Sequence, residues 1–441
     1  MLKKTKDKIG LWTSTSLVVG NMIGAGVFLM PSALASYGAV SLLGWVFSAI
    51  GALILAILFG KLSKMMPAGD GGPYAYTRKG FGDFPGFLVA WGYWISCWTT
   101  NATIAVSLVG ALSLFIPVLS TNPVLAVATA LAAVWGLTWI NTLGIREGGK
   151  VQVVTTVLKL VPLALVAFGG LFFIRMEYFS PFNLSTSSTF SAITATAAMT
   201  IFAFQGVECA TIPSGKVDNP ERTIPKATLI GTLITMVVYI LGTISVMGLI
   251  PAADLQISVT PFADAAVILW GDSARYWVGA GVVISAFGAL NGWILIQGQV
   301  PYAIAKDKLF PEIFEKENRS GVPAAGILIS SVLISLLVLM NYTKGLVAQF
   351  QFLVLLTTVM VLVPYLFSSA SYLVLLVETR LLNTRGWIGA ILLATGGFSF
   401  SLWAIAGSGQ ESVFWGFLML LAGIPFYLWN TFKRKLKNKT A

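Results

Sequence analysis

The amino-acid sequence predicts an all-α membrane protein with about 12 transmembrane helices. Only 10% of its 441 residues are charged, whereas roughly 25% is usual in soluble domains, so the charges are too few to cover a water-exposed surface. The mean hydropathy is +0.84, and apolar stretches of roughly 20 residues, the length that crosses a bilayer core, follow one another almost end to end. No polar segment is long enough to fold separately, so residues 1–441 are predicted to form one domain.

Hydropathy divides the chain into 12 predicted spans. Their ranges are 10–36, 40–66, 84–115, 121–143, 148–174, 190–215, 224–249, 276–305, 322–341, 346–376, 386–408 and 411–432. The first span follows a lysine-rich start and superficially resembles a signal peptide. Its apolar stretch exceeds the roughly 7–15 residues of such a signal, so we expect it to be retained as a transmembrane helix.

The basic residues predict the orientation. With both termini in the cytoplasm, 24 of the 28 Lys and Arg residues lie on the cytoplasmic side, Lys159 lies within a span, and only Arg175, Arg275 and Lys344 lie outside. This asymmetry follows the positive-inside rule for a multi-pass protein of the cell membrane. The basic residues are dispersed over short loops, so we expect lipid and a small molecule as partners, and no nucleic acid. The sequence leaves a homodimer open.

The composition also excludes several kinds of chemistry. Histidine is absent, which removes imidazole metal sites, Ser-His and Cys-His nucleophiles and zinc-protease motifs. Cys97 and Cys209 both lie inside apolar spans, so no disulfide framework is implied. No nucleotide-binding loop is present. We therefore expect no metal, no cofactor and no enzymatic activity, and any transport must be driven by gradients.

Two spans contain interruptions at membrane depth. Span 1 has glycines at 20, 24 and 26, each of which weakens a helix by roughly 1 kcal/mol relative to alanine. Span 6 places Gly206 among polar residues. Interrupted helices five spans apart indicate an inverted-repeat transporter, because unwound backbone can hold a carboxylate and an amine and is tolerated only beside a cavity. The alternative is that the glycines merely permit close helix packing.

Several segments resemble the amino acid–polyamine–organocation (APC) superfamily. They are residues 20–28 (GNMIGAGVF), 71–76 (GGPYAY) and 217–227 (VDNPERTIPKA). Within that superfamily the chain is most similar to the basic amino acid/polyamine antiporters, typified by the arginine/agmatine antiporter. That similarity lies in residues 258–266 (SVTPFADAA), in Gly292-Trp293, and in Tyr93-Trp94, Cys97-Trp98 and Asn101.

The resemblance implies a fold and a set of site residues. The fold is a five-plus-five inverted repeat, with residues 10–174 and 190–376 as the repeats, helices 1 and 6 broken, and two additional helices in 386–432. Substrate would bind between spans 1, 3, 6, 8 and 10. The implied substrate-binding residues are Asn21, Met22, Gly24, Ala25, Gly26, Ser96, Cys97, Asn101, Phe202, Gln205, Trp293 and Thr357. The implied cytoplasmic-side gate consists of Tyr93, Glu208 and Tyr365.

Two charged residues lie well inside spans, Lys159 and Glu208. An intramembrane charge costs at least ~2.5–3.5 kcal/mol and usually has a function, so we interpret both as proton-coupling residues. Lys159 resembles the lysine of sodium-independent transporters in the superfamily, where the ammonium takes the place of a sodium ion. The alternatives are a snorkelling lysine and, for Glu208, a structural hydrogen bond to a tyrosine.

The combined prediction is a secondary active amino acid/amine transporter that exchanges a cationic amino acid for a related amine or amino acid. The alternative is a proton-coupled neutral amino acid permease, and a channel or receptor is disfavoured because no filter motif is visible. The antiporter group has a tryptophan at the position of Phe202 and an aliphatic residue at that of Gln205. We therefore expect arginine, lysine, ornithine or their amines to bind with modest affinity, with some acceptance of neutral amino acids.

Overall fold

The computed structural model describes residues 10–24, 26–66, 72–143, 160–211, 217–340, 343–379 and 386–440. Every regular element in these ranges is a helix. The α-helices are α1 Leu11–Met22, α2 Gly26–Leu34, α3 Val40–Met65, α4 Pro73–Phe81, α5 Asp83–Leu112, α6 Val118–Thr121, α7 Pro123–Thr142, α8 Leu160–Phe173 (its last turn a 3-10 helix), α9 Thr189–Ile201, α10 Pro220–Leu249, α11 Ala252–Ile257, α12 Pro261–Trp270, α13 Ser273–Lys306, α14 Ala324–Met340, α15 Leu346–Glu378, α16 Trp387–Gly407, α17 Gln410–Leu421 and α18 Gly423–Thr440.

The described helices account for the predicted spans. Nine are long and apolar enough to cross a membrane, counting α9 with its continuation to Thr211 and α17 with α18 to Lys433, and the bent pair α1 and α2 makes a tenth. The shorter apolar helices α8 and α14 stand at the predicted spans 5 and 9. The prediction of an all-α membrane protein is confirmed. Predicted span 5 began at residue 148, and its part before Leu160 lies outside the described residues.

The spans pack as two groups. In the first, α10 packs on α3 and α1, and α3 packs on α9. In the second, α5, α7, α13 and α14 all pack on one another. Each group thus contains two pairs of spans, and the members of a pair lie five spans apart in the chain. The first group contains the pairs 1 and 6, and 2 and 7. The second group contains the pairs 3 and 8, and 4 and 9. Helix α15 (span 10) lies between the groups and contacts α5, α3, α2 and α9.

A buried hydrogen-bonded network holds the second group together. The amide of Asn101 on α5 donates to Gln297 Oε1 on α13 at 2.7 Å, and Gln297 donates to Ser331 Oγ on α14 at 3.1 Å. Ser331 Oγ in turn lies 2.6 Å from the Thr138 hydroxyl on α7. Each such bond between transmembrane helices is worth on the order of 0.6 kcal/mol. The network thus joins four spans through buried side-chain hydrogen bonds.

Burial separates the central spans from the peripheral ones. In α5, 94% of the most apolar 18-residue window is buried, against 22% in α16 and 17% in the span formed by α17 and α18. The last two spans therefore present most of their surface outward, as two additional helices would. Helix α5 is the central helix of the fold, because it contacts α13, α15, α14 and α7.

Candidate functional site

The first break lies between α1 and α2, whose axes differ by 44°. The Ile23 N–H still donates to Val19 O at 2.8 Å, but the Gly24 N–H turns back to Met22 O at 2.9 Å. Met22 O also accepts from the Tyr239 hydroxyl of α10 at 2.8 Å. A carbonyl at the end of α1 is thereby satisfied by a neighbouring helix. Helix α2 then begins anew at Gly26, and its first N–H groups lack an intrahelical acceptor.

The second break lies in span 6. Helix α9 ends at Ile201, a 3-10 turn covers Phe202–Phe204, and a second 3-10 turn covers Cys209–Thr211. Between the two turns Gly206 has φ +108°, a backbone conformation that glycine alone adopts readily. Span 6 is therefore unwound at the glycine that the sequence singled out, and the prediction of broken helices 1 and 6 is confirmed.

The two breaks touch each other. A Cβ atom added at Gly206 would lie 3.2 Å from Asn21 Cβ and 3.3 Å from Met22 N, and one added at Gly26 would lie 2.5 Å from the Phe202 ring. Glycine is thus needed both for close approach and, at position 206, for the backbone conformation. Close packing by itself does not account for these glycines, because the helix is interrupted at both places.

A small cavity lies where the breaks meet. Its lining residues are Asn21, Met22, Gly24, Gly26, Val27, Thr100, Ile104, Phe202, Ala203, Gln205 and Trp293. Its volume is about 20 Å³, and one water molecule already needs roughly 10–15 Å³ on the same measure. The cavity in this conformation offers only a water-sized space, so an amino acid could enter only after the surrounding helices move.

The structure brings most of the sequence-predicted substrate residues to this cavity. Those that line it are Asn21, Met22, Gly24, Gly26, Phe202, Gln205 and Trp293. Ala25 lies outside the described residues. Four predicted residues, Ser96, Cys97, Asn101 and Thr357, are buried but do not line it.

Internal hydrogen bonds account for two of these four positions. The Ser96 hydroxyl donates to Tyr93 O of its own helix at 2.8 Å, and Asn101 is turned toward Gln297. Both side chains are engaged in holding α5 and its neighbours, which keeps them back from the cavity in this conformation.

Sequence reasoning missed four lining residues, Val27, Thr100, Ile104 and Ala203. A signal for two of them was present in α5. Tyr93, Thr100 and Ile104 are separated by seven and four residues, a spacing that puts side chains on one face of a helix. Following this helix face from Tyr93 toward the C-terminal end of α5 would have predicted both Thr100 and Ile104. Thr100 matters most, because its hydroxyl lies 3.1 Å from Gln205 Oε1 and 2.6 Å from Ser96 O.

A second cluster surrounds Glu208, which is fully buried. The Tyr93 hydroxyl of α5 donates to Oε1 at 2.8 Å, while the Tyr365 hydroxyl of α15 and the Gly206 N–H donate to Oε2 at 2.5 and 3.2 Å. Both carboxylate oxygens are therefore engaged, and bonds to a charged acceptor are the strong ones. The cluster joins span 6 of the first group to span 3 of the second and to span 10, so the predicted gate residues come together.

Two further predictions concern other residues. Lys159 lies outside the described residues. Within the described ranges, no group of three or more His, Cys, Asp and Glu side chains could hold a metal ion, and Cys97 and Cys209 are free, buried thiols.

Comparison with known proteins gives a consistent result. Residues 9–429 match the sequence model of a family described as amino acid permease. An arginine/ornithine antiporter of Pseudomonas aeruginosa is 32% identical over 444 residues, covering 96% of this chain and 91% of the relative. A cadaverine/lysine antiporter of Escherichia coli is 32% identical, covering 95% and 94% of the two chains. A putrescine transporter of Escherichia coli is 30% identical and covers all of both chains.

Solved structures support the same architecture. The manganese transporter of Eremococcus coleocola superposes with a TM-score of 0.59 over 98% of both chains, at 14% sequence identity. Likeness at that identity concerns the fold alone. The fold of this chain is thus one that membrane transporters use.

Proposed function

The chain belongs to the amino acid permease family, and from that premise we propose that it exchanges a cationic amino acid for a related amine or amino acid by alternating access. It is a multi-pass membrane transporter and not an enzyme. The observation that carries the proposal is the contact between the two helix breaks at one small cavity. The antiporters and the putrescine transporter named above share about 30% identity over nearly the whole chain, and they do not favour a proton-coupled neutral amino acid permease.

The breaks suggest how the backbone of an amino acid would bind. Helix α2 begins at Gly26, at the cavity, and helix N-termini favour anions because their N–H groups and dipole attract negative charge. We assign the substrate α-carboxylate to this end, with Gly24 and Ala25 beside it. The α-amine would meet carbonyl groups at the break of span 6, which contains Gly206.

The cavity also suggests what the substrate side chain would contact. Among the lining residues Phe202 and Trp293 offer aromatic faces, and Gln205, Thr100 and Asn21 offer polar atoms. Among the described residues, no acidic side chain lines the cavity. A cationic head would therefore rely on neutral acceptors and on cation–π contacts, which are worth roughly 0.5–2 kcal/mol each. Ser96, Cys97, Asn101 and Thr357 would join the site when the helices around it separate.

The packing suggests the moving parts. Spans 3, 4, 8 and 9 form one hydrogen-bonded body, and spans 1, 2, 6 and 7 pack on one another. Relative rotation of the two would open the cavity on one side at a time. The predicted five-plus-five repeat of residues 10–174 and 190–376 would suit this motion, because spans in matching positions pack in the same group. Tyr93, Glu208 and Tyr365 would close the cytoplasmic side.

Proton coupling is assigned to Glu208 and Lys159. Glu208 is buried within hydrogen-bond reach of both groups of spans, so a change in its charge would change how strongly the gate is held. Lys159 is assigned by its position within span 5. We place both termini in the cytoplasm, on the basis of the distribution of Lys and Arg.

Counterflow in proteoliposomes tests the function. Liposomes containing the purified protein would be loaded in turn with arginine, lysine, ornithine, agmatine, cadaverine, putrescine and leucine, and the entry of labelled substrate measured with and without internal substrate. We expect rapid entry only when a cationic amino acid or amine is present on both sides. Exchange of leucine and other neutral amino acids alone would overturn the cationic assignment in favour of the neutral permease.

A further inference from the structure

The amide of Gln205 shows an imbalance in its hydrogen bonds. Its Oε1 atom lies 3.1 Å from Thr100 Oγ1, while its Nε2 atom is buried without a partner among the described residues. The side chain is only 3% exposed and lines the cavity. An N–H donor left unpaired in a buried site is unfavourable, so the arrangement calls for an explanation.

Counting hydrogens resolves the imbalance. The Thr100 hydroxyl has a single hydrogen, and its shorter bond, at 2.6 Å, runs to Ser96 O one helical turn back. With that hydrogen used, two oxygen atoms with only lone pairs would face each other at 3.1 Å. A half-turn of the Gln205 amide exchanges its oxygen and nitrogen in place. Nε2 then donates one of its two hydrogens to Thr100 Oγ1, and the two oxygen atoms no longer face each other.

The turned amide places Oε1 where Nε2 had no partner. We propose that Gln205 presents this carbonyl oxygen to the cavity as the acceptor for the N–H groups at the cationic end of the substrate, and so sets the preference for cationic over neutral side chains. This rests on the proposed function, which it deepens by naming the specificity-determining atom.

The surroundings favour a cation at this oxygen. Phe202 and Trp293 line the same cavity, and a phenylalanine ring attracts a cation less strongly than a tryptophan ring. The nearby carboxylate of Glu208 already accepts from Tyr93, Tyr365 and the Gly206 N–H. A neutral oxygen in the same cavity supplies attraction for a charged N–H, and such charge-assisted bonds are stronger than neutral ones.

The same oxygen would reject neutral isosteres. A hydrocarbon side chain of equal length would bury Oε1 without a donor, and a site built to hydrogen-bond its substrate discriminates strongly against an analogue that lacks the group. Gln205 lies on span 6 and Thr100 on span 3. One amide would therefore link the substrate to both groups of spans when the site closes.

The test compares ornithine with norleucine, two amino acids of equal side-chain length that differ in the terminal ammonium. Half-saturating concentrations for exchange would be measured in proteoliposomes for the wild type and for Gln205→Met, which keeps the length of the side chain and removes its acceptor. We expect the preference for ornithine to fall roughly ten- to hundredfold, through weaker ornithine binding. The same substitution at the exposed Gln256 of α11 is the matched control and should change nothing.

Two further measurements keep the test decisive. Gln205→Glu retains oxygen acceptors and should preserve the ornithine preference, and a loss of preference there would contradict the proposal even if Gln205→Met failed to fold. Arginine and citrulline distinguish the two amide orientations. Weaker citrulline exchange with unchanged arginine and ornithine exchange in Gln205→Met would show that Nε2, not Oε1, faces the cavity.

The outcomes separate this inference from the function on which it rests. If the wild type exchanges ornithine and arginine and Gln205→Met keeps the full preference, the role of Gln205 is wrong and the proposed function stands. If the wild type exchanges no cationic substrate, both are overturned.

Discussion

Glu208 illustrates how one side chain can hold two parts of a transporter together. Its carboxylate accepts hydrogen bonds from Tyr93 on α5 and Tyr365 on α15, as well as from the Gly206 N–H beside it. Water does not compete at this buried position, so the bonds persist only while the helices stay close. Any movement that separates span 6 from spans 3 and 10 must break them, and a change of charge on Glu208 is the simplest way to weaken them.

Replacing Glu208 with glutamine should keep the shape of the side chain while removing its charge. Because hydrogen bonds to a charged group contribute roughly 1.5–3 kcal/mol each, the closed gate should lose stability and the proton-linked step should stop. We expect exchange to fall by roughly tenfold or more and to become independent of pH, while substrate binding at Gly24 and Gly26 survives. Rates measured in liposomes across a pH series give the readout.

The control for this prediction is Tyr365→Phe, which removes one donor but leaves the carboxylate able to change its charge. Its exchange should slow and should keep the wild-type pH profile. If Glu208→Gln itself kept that profile, the proton-linked step would lie elsewhere. Lys159→Ala would then be the next variant to measure.

Helix interruption depends on more than the number of glycines. In span 6 the α-helix ends at Ile201 and gives way to tight turns, and Gly206 adopts a positive φ between them. In span 1 the α-helix ends at Met22, and a new α-helix begins at Gly26. Each interruption is stabilised by the other, because the backbone of one packs directly on the backbone of the other. The pair is therefore a single structural unit built from two distant segments.

Gly206→Ala should abolish exchange. The residue has φ +108° and an added Cβ would lie 3.2–3.3 Å from Asn21 and Met22, so the variant suffers both backbone strain, on the order of 1–3 kcal/mol, and crowding against span 1. We expect the variant protein to reach the membrane, to have lower thermal stability in a melting assay in detergent, and to show no counterflow above background.

Gly136→Ala is the matched control. Gly136 lies within α7 with open space around its Cα, and alanine favours helix by up to about 1 kcal/mol relative to glycine. This variant should be as active as the wild type and at least as stable. Wild-type exchange by Gly206→Ala would instead mean that the second break does not need a glycine conformation.

The molecule combines two groups of packed spans with a strongly asymmetric distribution of charge. Spans 3, 4, 8 and 9 share a buried polar network, and spans 1, 2, 6 and 7 pack around the breaks. Along the sequence, 24 of 28 basic residues fall in segments that alternate hydropathy places on one side. An even number of spans returns the chain to the side on which it began, so the predicted orientation places both termini on the basic side.

Single introduced cysteines can test this orientation, because the two natural cysteines, Cys97 and Cys209, are buried. Thr186 and Ser320 are exposed on connections predicted to lie on opposite sides. A membrane-impermeant thiol reagent added to intact cells should label Thr186→Cys and leave Ser320→Cys unlabelled until the cells are opened. Labelling of Ser320→Cys in intact cells would overturn the predicted topology.

Much of the fold was predictable from the sequence. A bilayer fixes the length of each span and requires that its backbone be hydrogen-bonded internally. Hydropathy therefore locates the ends of the described candidate spans to within about four residues. Glycines beside polar residues at positions 20–26 and 206 identified the breaks, since little else tolerates unwound backbone at that depth. The residues of the Glu208 cluster followed from resemblance, and the structure brings all three together.

The arrangement of the site depended on how the helices pack. In the sequence, Asn101 and Gln205 are both polar residues inside predicted spans. In the structure, Asn101 is hydrogen-bonded to Gln297 between helices, whereas Gln205 lines the cavity. Thr100 and Ile104 join the cavity because α5 turns that face toward span 6. Hydropathy carries no information about the rotation of a helix about its axis when the helix is buried on every side, as α5 is. Only contacts with neighbouring helices fix that rotation, and with it the choice of side chains that line the cavity.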